Sequence, residues 1–364
     1  MDLDKEFTDF RAEVRDWLAT HVPRSLPSMD TADGFAAHRE WERELAAARL
    51  SVVSWPAAYG GRDLPLLAWL VFEEEYHAAG APGRVSQNGI FLLAPTLFEH
   101  GTPEQQDRLL PRMADGTDIW AQAWSEPEAG SDLAAIRSTA VRTEGGWLLR
   151  GQKTWSSRAA FADRGFGLFR TDAARHRGLT YFLFSLRANG VTVRPIAQWD
   201  GEAGFAEIFF DDVFVPDADV VGDVGSGWRV AMSTASSERG LTLRSPGRFV
   251  AAADRLVRLW RDRRDPAYAD RVVDAWIGAR AYQLYTYGLA GRPNVGPASS
   301  VLKVFWSELD LALHETAMDI VGEAAGPWAD GYLFALAGPI YAGTNEIQRD
   351  VIAERLLGLP RADR

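Results

Sequence analysis

A chain of 364 residues, 47% hydrophobic and 24% charged, is long enough for two or three packed layers and ordinary in composition for a globular protein. Its net charge of −11 argues against a nucleic-acid partner, because neutralising phosphates needs a basic face. The absence of cysteine removes disulfides, thiolate nucleophiles and cysteine-metal sites, and makes the cytoplasm the default location.

The first residues, Met1-Asp2-Leu3-Asp4-Lys5-Glu6, are acidic and carry no apolar h-region, so no export is expected. The longest apolar runs, near 64–72 and 90–97, fall short of the roughly 20 residues that span a bilayer. From 4 to 114 the pattern is helical. Phe7, Phe10, Val14 and Leu18 recur at helical spacing, further helices are expected over 35–50, 64–79 and 89–99, and Thr102-Pro103-Glu104-Gln105 is a helix start.

The period then changes. Short β-branched or aromatic runs at 120–124, 138–142, 146–151, 165–169, 179–186 and 205–214, separated by turn residues, predict an antiparallel sheet or small barrel. Gly222-Asp223-Val224-Gly225-Ser226-Gly227 closes it. Those glycines lack the G-x-G-x-x-G spacing of a phosphate loop and read as a hinge. Helices are then expected at about 227–260, 267–291, 297–322 and 344–357, broken at Asp265-Pro266 and around Pro293 and Pro297. The order is helices, sheet, helices, which is an α+β fold.

Few constellations carry chemistry. Six histidines include no H-x-x-H pair, so zinc has no support, and the single E-x-x-H of Glu74 and His77 lacks the second copy a di-iron bundle needs and reads as a solvated helix face. No G-x-S-x-G elbow is present. In 120–132, aromatic and small polar residues alternate before Pro127 and Gly130 turn the chain, so that backbone N–H groups and the Ser125 and Ser131 hydroxyls can face one ligand. Near the end, Tyr341-Ala342-Gly343-Thr344-Asn345-Glu346 leads through two helix-capping residues into a helix, a place that suits an anionic group or a thioester oxygen.

Four motifs, at 122–132, 151–157, 225–239 and 341–361, resemble in order and spacing those of acyl-CoA dehydrogenases. The resemblance covers essentially the whole chain. It implies an N-terminal α-helical domain (1–117), a middle antiparallel β-domain (118–224) and a C-terminal four-helix-bundle domain (225–364). It further implies FAD, held by Gln122, Trp124, Ser125, Gly130 and Ser131, by Trp155 and Ser157 from a second strand, and by Thr344 and Glu346 at the far end. Ser131, Arg239, Tyr341 and Ala342 would meet the substrate, with the Ala342 N–H bonding the thioester oxygen.

In the best-known members the position of Ala342 holds the glutamate that removes the α-proton. Others place that base on the long helix after the sheet, and here Glu238 stands there, eleven residues after Gly227 and beside Arg239. The reaction removes a proton from Cα and a hydride from Cβ, so base and flavin must flank one C–C bond. Two departures stand out: the Arg-x-x-Phe element that reaches a neighbouring subunit's FAD lacks its Phe in Asp262-Arg263-Arg264-Asp265-Pro266, and the usual Gln and double Gly become Asp319-Ile320-Val321-Gly322-Glu323. The resemblance thus implies α,β-dehydrogenation of an acyl-CoA, an electron-transfer flavoprotein or similar acceptor, and a dimer or tetramer. A dehydrogenase or oxidase acting on a carrier-protein-bound acyl group, a non-catalytic subunit, and a homo- or hetero-oligomer stay open.

Overall fold

The computed structural model describes residues 7–199, 201–238, 243–290, 295–322 and 326–361, Glu238 through its backbone only. The chain divides into two compact units. One gathers Met1–Val22, Pro65–Ala81 and Glu238–Arg364; the other gathers Pro23–Leu64 and Pro82–Ser237.

The second unit holds the sheet with helices α2 (Ala32–Ala47), α4 (Ala94–His100), α5 (Pro103–Ala114) and α6 (Gly227–Glu238). Thr102 begins α5 with a capping box: its hydroxyl accepts from Gln105 N at 3.2 Å, while the Gln105 side chain accepts from Thr102 N at 3.1 Å. A short link then enters β1 (Trp120–Ala123), followed by β2 (Thr139–Thr143), β3 (Gly146–Ser157), β4 (Arg164–Arg170), β5 (Leu179–Ser185), β6 (Val191–Ile196), β7 (Phe205–Pro216) and β8 (Val220–Val221). The main path of the sheet runs β6-β7-β3-β2-β4-β5-β8, and β1 joins it against β4.

The sheet is antiparallel in most of its pairings, as expected, but β1 pairs with β4 in parallel and β2 meets β4 the same way. Parallel neighbours require a long crossover, and the β2–β3 hairpin between β1 and β4 supplies it. Strand β6 was not expected. Its residues are exposed or half-buried and include Pro195, so its short apolar alternation of Val191 and Val193 is a weak signal; it pairs with β7. Inside, Phe169 presents its ring edge-on to Phe182, Phe184 and Phe210 at 5.9, 6.1 and 5.0 Å. Each such buried ring stabilises the fold by roughly 1.5–3 kcal/mol.

The first unit is helical among the described residues: α1 (Thr8–His21), α3 (Leu66–Ala78), α7 (Pro246–Arg263), α8 (Ala269–Ala290), α9 (Ala298–Val321), α10 (Pro327–Leu336) and α11 (Asn345–Val351). Leu70, Phe249, Leu256, Tyr282, Leu302, Trp306 and Leu313 form its core. The single helix expected at 227–260 is two helices. Pro246 disfavours helical geometry in the residue before it, and the Ser245 hydroxyl caps a new start by accepting from Gly247 N at 3.2 Å. Helix α10 was missed because it is apolar all round, leaving Leu333, Phe334 and Leu336 exposed. Nor is Glu74 on a solvated face: it takes a hydrogen bond from Arg11 at 2.9 Å and others from Gln283 and Tyr287. No helix among the described residues is long and apolar enough to cross a membrane.

Candidate active site

Two groups of the expected site residues come together, one in each unit. In the second unit the chain leaves β1 at Ala123 and reverses at Pro127, where Glu126 and Ala129 exchange backbone hydrogen bonds of 2.9 and 3.0 Å. Gly130 and Ser131 are exposed at the tip of this turn, and Gln122 is half-buried in β1 opposite Phe166. The Ser125 carbonyl accepts from Thr154 N at 2.8 Å, which ties the turn to β3.

Behind the turn lies a buried ion pair. Lys153, with no exposed surface, donates to Glu126 at 2.8 Å, to the Leu168 carbonyl at 2.7 Å and to the Trp124 carbonyl at 3.3 Å. Glu126 also accepts from the backbone N–H groups of Arg137 at 2.6 Å and Ser138 at 3.0 Å. Burial lowers the lysine to about 8, against the pull of Glu126. Burial would raise Glu126, but Lys153 and the Arg137 N–H outweigh it and hold the carboxyl below its ordinary value.

One residue on, β3 breaks register against β7 between Lys153 and Ser156. Trp155 sits in that bulge at φ +58°, a left-handed conformation that is rare for a bulky side chain. Its neighbours Thr154 and Ser156 are buried, while Trp155 itself is 61% exposed and meets Phe205 edge-on at 5.9 Å. Strain of this kind costs about 1–3 kcal/mol and persists where something else gains from it. Ser157 closes the strand, half-buried and opposite Phe205. The Trp124 indole N–H is buried without a hydrogen-bond partner among the described residues.

In the first unit the loop before α11 is equally fixed. Ala342 at φ +57° and Gly343 at φ +80° are both left-handed, and Ala342 is buried. The Gln348 side chain donates to the Ala342 carbonyl at 3.2 Å, and Asn345 N donates to the Pro339 carbonyl at 2.8 Å. Thr344 caps the helix by accepting from Ile347 N at 3.3 Å. Glu346 is exposed and held below its ordinary value by its own backbone N–H and by the Thr344 hydroxyl. The fully buried Lys303 donates to the Asn345 side-chain oxygen at 2.7 Å, and Ser307 to the same atom at 3.1 Å. Tyr341 stacks on Trp306 at 5.8 Å.

Glu238 is the last residue of α6, which is twelve residues long, so the expected long helix is a short one. The helix is anchored four residues earlier, where the Thr234 hydroxyl meets those of Thr96 at 2.7 Å and Tyr181 at 3.3 Å. Arg239 lies outside the described residues. Arg175, at the edge of the second group, is paired with Asp132 at 2.7 Å.

The chain matches three family descriptions in sequence: the acyl-CoA dehydrogenase N-terminal domain over 4–117, the middle domain over 121–213 and the C-terminal domain over 225–357. It is 42% identical to acyl-CoA dehydrogenase IpdE1 of Mycobacterium tuberculosis, over 98% of this chain and 99% of that one. The chain belongs to the acyl-CoA dehydrogenase family. Among solved structures it resembles the Tcur3481-Tcur3483 steroid ACAD, with a TM-score of 0.88, 26% identity and complete coverage of both chains. It also resembles the ChsE4-ChsE5 complex from Mycobacterium tuberculosis, with a TM-score of 0.85, 29% identity and 98% coverage of each chain.

Membership makes the protein a flavin-dependent oxidoreductase that dehydrogenates acyl-CoA. The group on the sheet fits a flavin: an outward tryptophan held in strain, a buried indole donor with no partner among the described residues, and a turn clamped from behind. Within the quoted motifs, sequence reading passed over Glu126 and Lys153, because nothing in the spacing shows that a lysine on one strand reaches a carboxylate 27 residues earlier. It passed over Lys303 and Arg244 for the same reason.

Proposed function

We propose that this acyl-CoA dehydrogenase binds FAD through Gln122, Trp124, Ser125, Gly130, Ser131, Trp155 and Ser157 on its sheet and through Thr344 and Glu346 on its last helix. In this reading Glu238 is the base. The segments 1–117, 118–224 and 225–364 are the family's three domains. The observation that carries the reading is Trp155, turned out of β3 by a bulge beside the Ser125 turn and left largely exposed.

The flavin, when bound, supplies the acceptor for the substrate's β-hydride. The residues of this chain do the rest. Glu238 takes the α-proton as a carboxylate, and the Ala342 N–H holds the thioester oxygen, so that negative charge developing there is stabilised by a donor already in place. Tyr341, Ser131 and Arg239 contact the substrate. Ala342 has no side-chain base to offer, which is why the proton must go elsewhere.

The protein works in the cytoplasm and passes electrons to an electron-transfer flavoprotein or a similar acceptor. It assembles as a dimer or tetramer, with a sister chain as the favoured partner. Support for the sister chain comes from the departures at 262–266 and 319–323, and from the similarity to the Tcur3481-Tcur3483 steroid ACAD and the ChsE4-ChsE5 complex, each named for a pair of chains. The test is spectroscopic. The purified protein, alone or produced with a sister chain, should be yellow, and a saturated acyl-CoA should bleach it without oxygen. A colourless protein, or a flavin that no acyl-CoA bleaches, overturns the reading.

A further inference from the structure

The first unit holds a half-buried cation that the reaction does not require. The Arg244 guanidinium lies 4.8 Å from the ring centre of Tyr341 and 5.0 Å from that of Trp306. Those rings are themselves nearly parallel, 28° apart. The Arg244 backbone is held in turn, since its carbonyl accepts from the buried Tyr282 hydroxyl at 2.8 Å. Position and orientation are therefore set by a fixed main chain and two aromatic faces.

What one edge of the guanidinium lacks is an acceptor. Its Nε is buried with no hydrogen-bond partner among the described residues. Of the nearby carboxylate, Asp310, one oxygen is taken by Arg248 at 2.7 Å and the other lies 3.3 Å from the His314 ring. Aromatic faces satisfy the charge in part but offer no lone pair to the N–H groups. A buried donor left this way costs about 1–3 kcal/mol, and a ligand oxygen placed there recovers it.

We propose that Arg244 is a specificity-determining residue that recognises an oxygen acceptor, a carboxylate or a ketone, on the acyl group of the substrate. The proposal rests on the reading that the thioester oxygen sits at the Ala342 N–H. Tyr341 is the residue before Ala342, so a group touching Tyr341 belongs to the part of the site that holds the acyl chain. An acyl chain ending in methyl would leave the Arg244 donors unmet. One carrying an oxygen would meet them, and sites that discriminate through a buried polar group do so more strongly than apolar pockets.

The test uses the flavin-loaded protein, with its partner chain where one is needed. Three saturated acyl-CoA probes are compared at each length from about four to ten carbons: one ending in methyl, one in carboxylate, and one with a ketone next to the terminal methyl. At the best length, an oxygen-bearing probe should exceed the methyl probe in kcat/KM by on the order of 10- to 100-fold, carried mainly by KM. Which oxygen probe leads tells carboxylate from ketone. In Arg244→Met that ratio should fall to within about threefold, and Arg244→Lys should restore part of it. Equal kcat/KM for all three probes in the unaltered protein, or a ratio unchanged in Arg244→Met, overturns the role of Arg244 alone. Failure of every probe to bleach the flavin overturns the placing of the thioester as well. The comparison of probes needs no variant, so it stands even if Arg244→Met fails to fold.

Discussion

Lys153 and Glu126 meet at 2.8 Å with the lysine wholly buried, and that one pair fixes both the turn carrying Ser125 and Ser131 and the strand carrying Trp155. Removing either partner leaves an uncompensated buried charge. Lys153→Met and Glu126→Gln should each lose about 3–5 kcal/mol of stability, while the double variant loses less than the two effects summed. Denaturant unfolding of the three variants checks this, and flavin content should fall in parallel.

The same pair has a pH signature. Glu126 is held below its ordinary 4.5, so its contribution to stability is complete above that value and disappears as pH falls through the lower folded value. The stability gap between the unaltered protein and Glu126→Gln should therefore shrink on acidification below about pH 4.5. Lys153 works in the other direction. With its folded value near 8 and its unfolded value near 10.5, the unfolded chain binds more protons between them, so the penalty for burying this lysine eases as pH rises through that window.

In the proposed reading Trp155 serves binding rather than stability. Trp155→Gly relieves the left-handed strain at φ +58° and gives up little buried surface, so unfolding should move by less than about 1 kcal/mol while flavin retention drops sharply. Measuring thermal unfolding of the flavin-free forms beside the bound flavin fraction separates the two effects. A large loss of stability with normal flavin content would contradict this assignment.

Glu238→Gln should lower turnover on the order of 100-fold or more with FAD retained, as expected when a general base is replaced by its neutral isostere. Stopped-flow bleaching with a good acyl-CoA isolates that step. Full activity would remove Glu238 from the mechanism.

Lys303 anchors the loop of Ala342 through Asn345 at 2.7 Å, without any place in the proposed chemistry. Lys303→Met leaves the buried Asn345 oxygen with Ser307 as its remaining donor, at a cost of about 1–3 kcal/mol. Because the loop rather than the chemistry is disturbed, KM for acyl-CoA should rise more than kcat falls.

The order of helices and strands, the turn at Pro127 and the cap at Thr344 follow from sequence, because each depends on local backbone preference and on the period of apolar residues. The motifs around Ser125, Trp155 and Ala342 were legible through their resemblance to those of acyl-CoA dehydrogenases. What the local code does not contain is who meets whom across the fold. The parallel pairing of β1 with β4, the edge strand β6, the break before Pro246, the lysine at 153 reaching Glu126 and the arginine at 244 set against Trp306 and Tyr341 were all decided in three dimensions. There, burial and the need to satisfy every polar group select among partners that the sequence presents as equals.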